Sequence, residues 1–364
     1  MQNYNRTSIL IFFAVTAALM SAIPMMNLSS SGFSNNLYSF DLALRFTSRI
    51  VHNWGISVDP PQAVVGTEGW LHLGDYYRAT ISDDRRHATE ADLAEAARLK
   101  AAALAWGHKL RRRGVQAYLI LVGPNKSSIY PETVPVWAQP SQNGPIDALL
   151  INPGPHYVDL RAALIGEKRD TPLPLYYPSD THWNMLGAGT AFRSLSDRAK
   201  DMGLPIRWPS REVYAITGSP KRQGGDLARF LHLEADLSDA DPQLSVNDWP
   251  TTVIQRDWTS GQILNTGPIS QIQSPSSPLL VESSGALNDA KVLWLRDSFG
   301  VAMSPFMAAT FSNVLQLRWD QAYSDNVLLE LVRSFKPDYV FVTVVQRDAR
   351  SAQFTALPPA HELP

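Results

Sequence analysis

The chain has 364 residues, 45% of them apolar, enough for one large domain or two small ones around a buried core. Lys plus Arg number 32 against 34 Asp plus Glu, and a net charge of −2 lacks the basic surplus that nucleic-acid binding needs. There is no cysteine, which excludes a disulfide framework, a thiol nucleophile and a Cys-ligated metal.

Along the chain, Arg6 precedes an apolar run over residues 9–23, followed by Pro24. A basic residue ahead of a short apolar core is the pattern of an export signal. A cut after Ala22 would put Met20 where a small residue is needed, so residues 1–28 read as an uncleaved anchor. No second long apolar run follows, which places the remainder on the far side of the membrane from Arg6. Residues 29–63 read as a linker or docking segment, 64–346 as the main domain and 347–364 as a tail.

Within the main domain, Thr89 and Asp92 form a helix-start signature, and an Ala-, Leu- and Lys-rich helix is expected as far as Arg113, with Gly114 ending it. Residues 115–122 are continuously apolar, as suits a strand buried on both faces. Further strands are expected over 157–160, 292–295, 314–317 and 339–345, with helices over 185–202, 299–310 and 325–335. This alternation predicts an α/β fold with a mainly parallel sheet flanked by helices. Residues 205–285, rich in Pro, Ser, Asp and Gly, read as a long loop and short-strand insertion over the site.

Two motifs carry chemistry. In Tyr177-Pro178-Ser179-Asp180-Thr181-His182-Trp183-Asn184, a carboxylate and an imidazole two positions apart share one loop, so Asp180 can fix the tautomer of His182 and leave the other ring nitrogen as a base. In Val292 to Gly300 an apolar strand runs through Arg296 and Asp297 into Ser298, a strand–turn–helix placement that lifts a hydroxyl clear of a sheet edge. A serine needs a base and the base an orienting acid; none of the other seven histidines has a comparable setting. The segment Gly123 to Glu132 opens on the same edge, where Asn125 or Lys126 could bind an oxyanion or a sugar hydroxyl. Trp183 could stack on a sugar ring. Gln223-Gly224-Gly225-Asp226-Leu227, inside the insertion, reads as an ordinary turn.

These segments, in this order, resemble the periplasmic alginate O-acetyltransferases, whose domain is similar to SGNH hydrolases. The shared features are Gly66-Thr67-Glu68-Gly69-Trp70-Leu71, Pro124-Asn125-Lys126 with Tyr130-Pro131-Glu132, Asp180-Thr181-His182-Trp183, and Arg296-Asp297-Ser298-Phe299. Ordinary SGNH hydrolases carry the Ser early and the Asp/His late; the reversed order here matches the acetyltransferases. The resemblance implies an SGNH-hydrolase-like fold and a Ser298–His182–Asp180 triad that uses no cofactor and no metal. Asn125, Lys126, Tyr130, Trp183 and Arg296 would act around the substrate or oxyanion. It also implies a polysaccharide acceptor, a membrane-bound O-acyltransferase as acetyl donor, and other polysaccharide-secretion proteins as partners. A hydrolase removing acetyl groups with the same residues and a non-catalytic scaffold are the rival readings.

Overall fold

The computed structural model describes residues 40–324 and 326–360, together with Ser21 and Met25. The expected anchor over residues 1–28 lies outside the described residues save for those two; among the described residues no helix is long and apolar enough to cross a membrane. The described chain opens with helix α1 (Asp41–His52) and a hairpin of β1 (Ala63–Val65) and β2 (Leu71–Leu73). The hairpin turns through Glu68 and Gly69, both at positive φ (55° and 79°), with the Trp70 N–H donating to the Thr67 carbonyl. Two consecutive left-handed residues are what a tight hairpin of this twist requires, and glycine supplies one without strain.

Helix α2 (Glu90–Arg111) starts where the sequence places it. Thr89 caps it, and the Asp92 carboxylate returns to the Thr89 N–H at 2.8 Å. Strands β3 (Ala117–Gly123) and β4 (Tyr157–Asp159), helix α4 (Met185–Asp201), and later β12 (Asn288–Arg296), β13 (Phe311–Arg318), helix α7 (Val327–Phe335) and β14 (Tyr339–Val345) follow the expected alternation, and a helix not among those expected, α3 (Arg161–Asp170), follows β4. The helix expected over 299–310 is broken: a single turn at Ser298–Gly300 is followed by α6 (Ser304–Thr310), which Pro305 starts because its missing N–H has no role in a first turn.

The insertion contains two small antiparallel pairs, β5 (Ile216–Gly218) with β8 (Gln243–Leu244) and β6 (Lys221–Gln223) with β7 (Ser238–Ala240), and the short helix α5 (Asp226–Phe230). Its remainder adds antiparallel strands to the parallel ones expected. Strands β9 (Thr252–Asp257), β10 (Ile263–Pro268) and β11 (Leu279–Ser284) join the central sheet, whose order is β10-β9-β11-β13-β12-β14-β3-β4. Pairings from β13 to β4 are parallel and those from β10 to β13 antiparallel, so the sheet is mixed.

The continuous apolar runs are explained by cover on both faces. Ala117, Leu119 and Leu121 pack with Leu164 of α3, Phe192 of α4 and Phe306 of α6, whereas Tyr118, Ile120 and Val122 pack with Leu99 and Trp106 of α2 and Leu329 and Phe335 of α7. The C-terminal ends of β3, β12 and β14 therefore share one edge, the edge at which open α/β sheets place their ligands.

Candidate active site

Two loops meet at that edge. The turn after β12 is pinned by Asp297, whose carboxylate accepts the N–H groups of Phe299 (2.9 Å) and of Val345 at the end of β14 (2.7 Å). The loop before α4 is pinned by Asn184, whose side chain caps the helix at Leu186 N–H (2.9 Å), and by Trp183, whose indole N–H donates to the Phe299 carbonyl at 2.8 Å. That last bond ties one loop to the other.

The result is a chain of hydrogen bonds through three side chains. Ser298 Oγ lies 2.8 Å from His182 Nε2, and His182 Nδ1 lies 2.6 Å from Asp180 Oδ1, which also accepts the His182 backbone N–H at 3.0 Å. Nδ1 faces a carboxylate and so carries the proton, which leaves Nε2 as acceptor for the serine hydroxyl. Burial pushes the His182 pKa down, but the hydrogen bond and charge of Asp180, with the further charge of Asp226, outweigh it and hold the imidazole above its ordinary value; Arg347 opposes them. Burial raises Asp180, yet the hydrogen bond and charge of His182 and the charge of Arg222 keep it well below the usual carboxylate range. The arrangement can deprotonate a serine hydroxyl while the acid stays ionised. It opens on a cleft of about 250 Å³ bounded by Tyr177, Arg222, Gln271, Gln273 and Val301.

Of the other residues singled out in the sequence, Trp183 borders this cleft, and each takes a hydrogen-bond partner from the protein. Lys126 is buried, and its ammonium donates to the carbonyls of Tyr177 (3.0 Å), Pro178 (2.9 Å) and Asp180 (2.7 Å), clamping the loop from below. Burial brings its pKa down to about 8, with Asp180, Asp226 and Asp239 holding it up. Asn125 donates to the Asp84 carboxylate at 3.1 Å and borders a separate, larger cleft of about 700 Å³ that contains none of the three relay residues. Tyr130 is buried, its hydroxyl accepting the Leu175 N–H at 2.8 Å. Trp183 is 1% exposed, so only an edge reaches the cleft and its ring face is not free to stack on a sugar; it packs edge-on against Phe299. Arg296 is fully buried, bonding Gln316 (2.7 Å) and the carbonyls of Ile272 (2.8 Å) and Gln273 (2.9 Å). It therefore positions the segment that brings Gln271 and Gln273 to the cleft.

The reading of residues 223–227 as an ordinary turn is corrected, because this segment backs the relay. Asp226 accepts the Thr181 N–H (2.7 Å) and Thr181 hydroxyl (2.5 Å), and its carboxylate comes within 3.8 Å of His182 Nδ1. A Cβ on Gly225 would lie 2.2 Å from that of Asp180, so only glycine lets the strap approach this closely. Arg222, from β6, donates to Asp180 Oδ2 at 3.2 Å. The compact pair of glycines before an aspartate was the available signal; its distance in sequence from His182 concealed its target. Asp180, His182 and Asp226 each offer a ligand atom within 4.8 Å of the others, a spacing that suits a metal ion. The hydrogen bonds to Thr181 and within the relay engage the same atoms, and an ion there would displace them.

A model of the family described as the SGNH hydrolase-like domain of acetyltransferase AlgX matches residues 63–273, more than half of the chain. The chain is 26% identical over 178 residues to the probable alginate O-acetylase AlgJ of Pseudomonas aeruginosa, a match over 48% of this chain and 42% of that protein. It thus spans less than half the length of that relative. Among solved structures, Bacillus cereus PatB1 is similar with a TM-score of 0.57 and 14% identity, covering 80% of this chain and 98% of that one. A DHHW family protein from Eubacterium siraeum gives a TM-score of 0.52 and 14% identity, over 82% and 95%. At such identities these two show the fold alone. The family model spans the hairpin, the Asp180–His182 loop and the glycine strap that backs it, and on that match the chain belongs to the AlgX family of SGNH hydrolase-like acetyltransferase domains.

Proposed function

We propose that the chain is an O-acetyltransferase that moves an acetyl group onto a hydroxyl of a secreted, alginate-like polysaccharide through an acetyl-Ser298 intermediate. The observation that carries this is the 2.8 Å approach of Ser298 Oγ to the free nitrogen of a histidine already fixed by a carboxylate.

In the first half, His182 Nε2 takes the Ser298 proton as Oγ bonds to the acetyl carbon of the donor. The bond from that carbon to the donor breaks, and the departing group takes the proton from His182. In the second half, His182 takes the proton of a sugar hydroxyl whose oxygen attacks the acetyl carbon; Ser298 leaves and recovers the proton. Asp180 remains ionised and stabilises the imidazolium throughout. Gln271 and Gln273 offer side-chain amides at the cleft wall for the negative charge that develops on the acetyl oxygen.

In this reading residues 1–28 hold the protein in the bacterial inner membrane with the domain in the periplasm. The donor is a membrane-bound O-acyltransferase working beside other polysaccharide-secretion proteins. The family match and the alginate O-acetylase relative support acetyl and polysaccharide as the two substrates. The test is acetyl transfer from a small activated ester to oligosaccharides, read by mass spectrometry with free acetate measured alongside. Ser298→Ala and His182→Ala should each abolish acetylated sugar while leaving the fold intact. An unchanged rate in Ser298→Ala would remove the nucleophile; acetate without acetylated sugar, across several polymers, would make the protein an esterase.

A further inference from the structure

Helix α1 is turned the wrong way for a helix that belongs to a globular core. At 100° per residue, Arg45, Ser48, Arg49 and His52 share one side, and Ala43, Phe46, Thr47 and Ile50 share the other. The polar side faces the domain. Ser48 is buried, and Arg45 (3.3 Å) and Arg49 both pair with Asp236. The apolar side faces outward: Phe46 is 58% exposed, and at the two ends of the helix Phe40 is 61% and Trp54 71% exposed. Two ion pairs thus hold the helix with its apolar face away from the protein, and a contiguous apolar surface of this kind marks a contact site.

The sequence on either side bears on what covers it. Residues 7–40 carry no Asp, Glu, Lys, Arg or His, and sixteen residues separate the apolar run ending at Ile23 from Phe40. A link of that length spans at most about 55 Å, so α1 stays within one domain's width of wherever residues 9–23 reside. Aromatic residues at the ends of an apolar helical face, and an uncharged approach to it, suit the boundary between lipid headgroups and acyl chains.

We propose that α1 lies on a phospholipid bilayer, with Phe46, Ile50 and Trp54 inserted among the headgroups, so that the domain sits on the membrane at a fixed side rather than hanging from its tether. This rests on the reading of residues 1–28 as a membrane anchor. The cleft would then hold a constant orientation to the bilayer from which the acetyl donor acts.

Because the chain has no cysteine, single labels are clean. Full-length protein carrying Ile50→Cys, Thr16→Cys or the exposed Thr259→Cys would be labelled with an environment-sensitive fluorophore and reconstituted into phosphatidylcholine–phosphatidylglycerol vesicles. Brominated lipid should remove about half of the emission at positions 16 and 50 and none at 259. Emission at 50 that brominated lipid leaves intact, with 16 quenched, overturns the proposal and spares the anchor; water exposure at both positions overturns both. Shielding at 50 that instead grows with protein-to-lipid ratio, and appears as energy transfer between labelled copies, gives the face to a second copy and also overturns the proposal. Acetyl transfer measured on the same samples keeps any failure of the Ser298 chemistry separate.

Discussion

Replacing Asp226 with Asn should move the acid limb of the pH–rate profile, and the direction follows from the charges around His182. The Asp226 carboxylate lies 3.8 Å from Nδ1 and is one of the groups holding the imidazole above its ordinary pKa. Asn keeps an oxygen to accept the Thr181 N–H, so the change is mainly the loss of one negative charge. Coulomb's law over that distance gives about 4 kcal/mol at an effective dielectric of ~20 and about 1 kcal/mol in water. The His182 and Asp226 side chains are 28% and 32% exposed, which puts the effect toward the lower end, roughly 1–2 kcal/mol or about one pH unit. His182 must be neutral to act as base. Lowering its pKa therefore shifts the acid limb of kcat/KM for a small activated ester to lower pH by about one unit, with a modest fall at the plateau from a weaker base. Arg347 opposes the carboxylates, so Arg347→Met should shift the same limb the other way. An acid limb that stays in place in both variants, or moves up in Asp226→Asn, would refute the assignment of His182 as the titrating base.

Two further substitutions test the scaffold. Gly225→Ala places a Cβ 2.2 Å from that of Asp180; the strap or the acid must move, and kcat should fall by about 10²-fold with circular dichroism unchanged, since displacements near 1 Å cost that much in a positioned site. Lys126→Met strips three carbonyls of a charged donor in a buried place and should destabilise the fold by roughly 3 kcal/mol, read as a lower denaturation midpoint with activity lost in parallel; a midpoint within error of the parent would show that the clamp does not hold the loop.

The helix from Thr89, the strand ending at Gly123 and the strand entering Ser298 were legible in the sequence because each is specified by neighbours a few residues away: a capping pair, a continuous apolar run, a run broken by a polar turn. The meeting of Asp180 and His182 is likewise local. Its reach to Ser298, 116 residues on, could be argued only because a serine at a strand end has few possible bases in this chain. Strands β9, β10 and β11 were not legible as members of the main sheet. Residues in β10 are largely exposed and those in β9 are only half-buried, so the period-two signal is weak, and their place is fixed by pairing in series, β11 with β13, β9 with β11 and β10 with β9, rather than by their own pattern.

The further site candidates read from the sequence share a physical character. Lys126, Arg296, Asn125 and Trp183 are polar or amphipathic groups near the site edge, and from sequence alone such groups read as ligands for a substrate. In the fold each is buried, and a buried polar group takes a hydrogen-bond partner from the protein. Lys126 holds three carbonyls, Arg296 two and a glutamine, Asn125 a carboxylate, and Trp183 the carbonyl of the residue after the serine. Lys126 and Trp183 thereby tie down the loops on which Ser298, His182 and Asp180 stand, and Arg296 the segment of Gln273 beside them. The imidazole stays within 3 Å of the hydroxyl on one side and of the carboxylate on the other because the surrounding groups leave those loops no alternative. Substitution of these buried residues should therefore lower kcat with little change in KM, whereas substitution of Gln271 or Gln273, which reach the cleft itself, should also change KM.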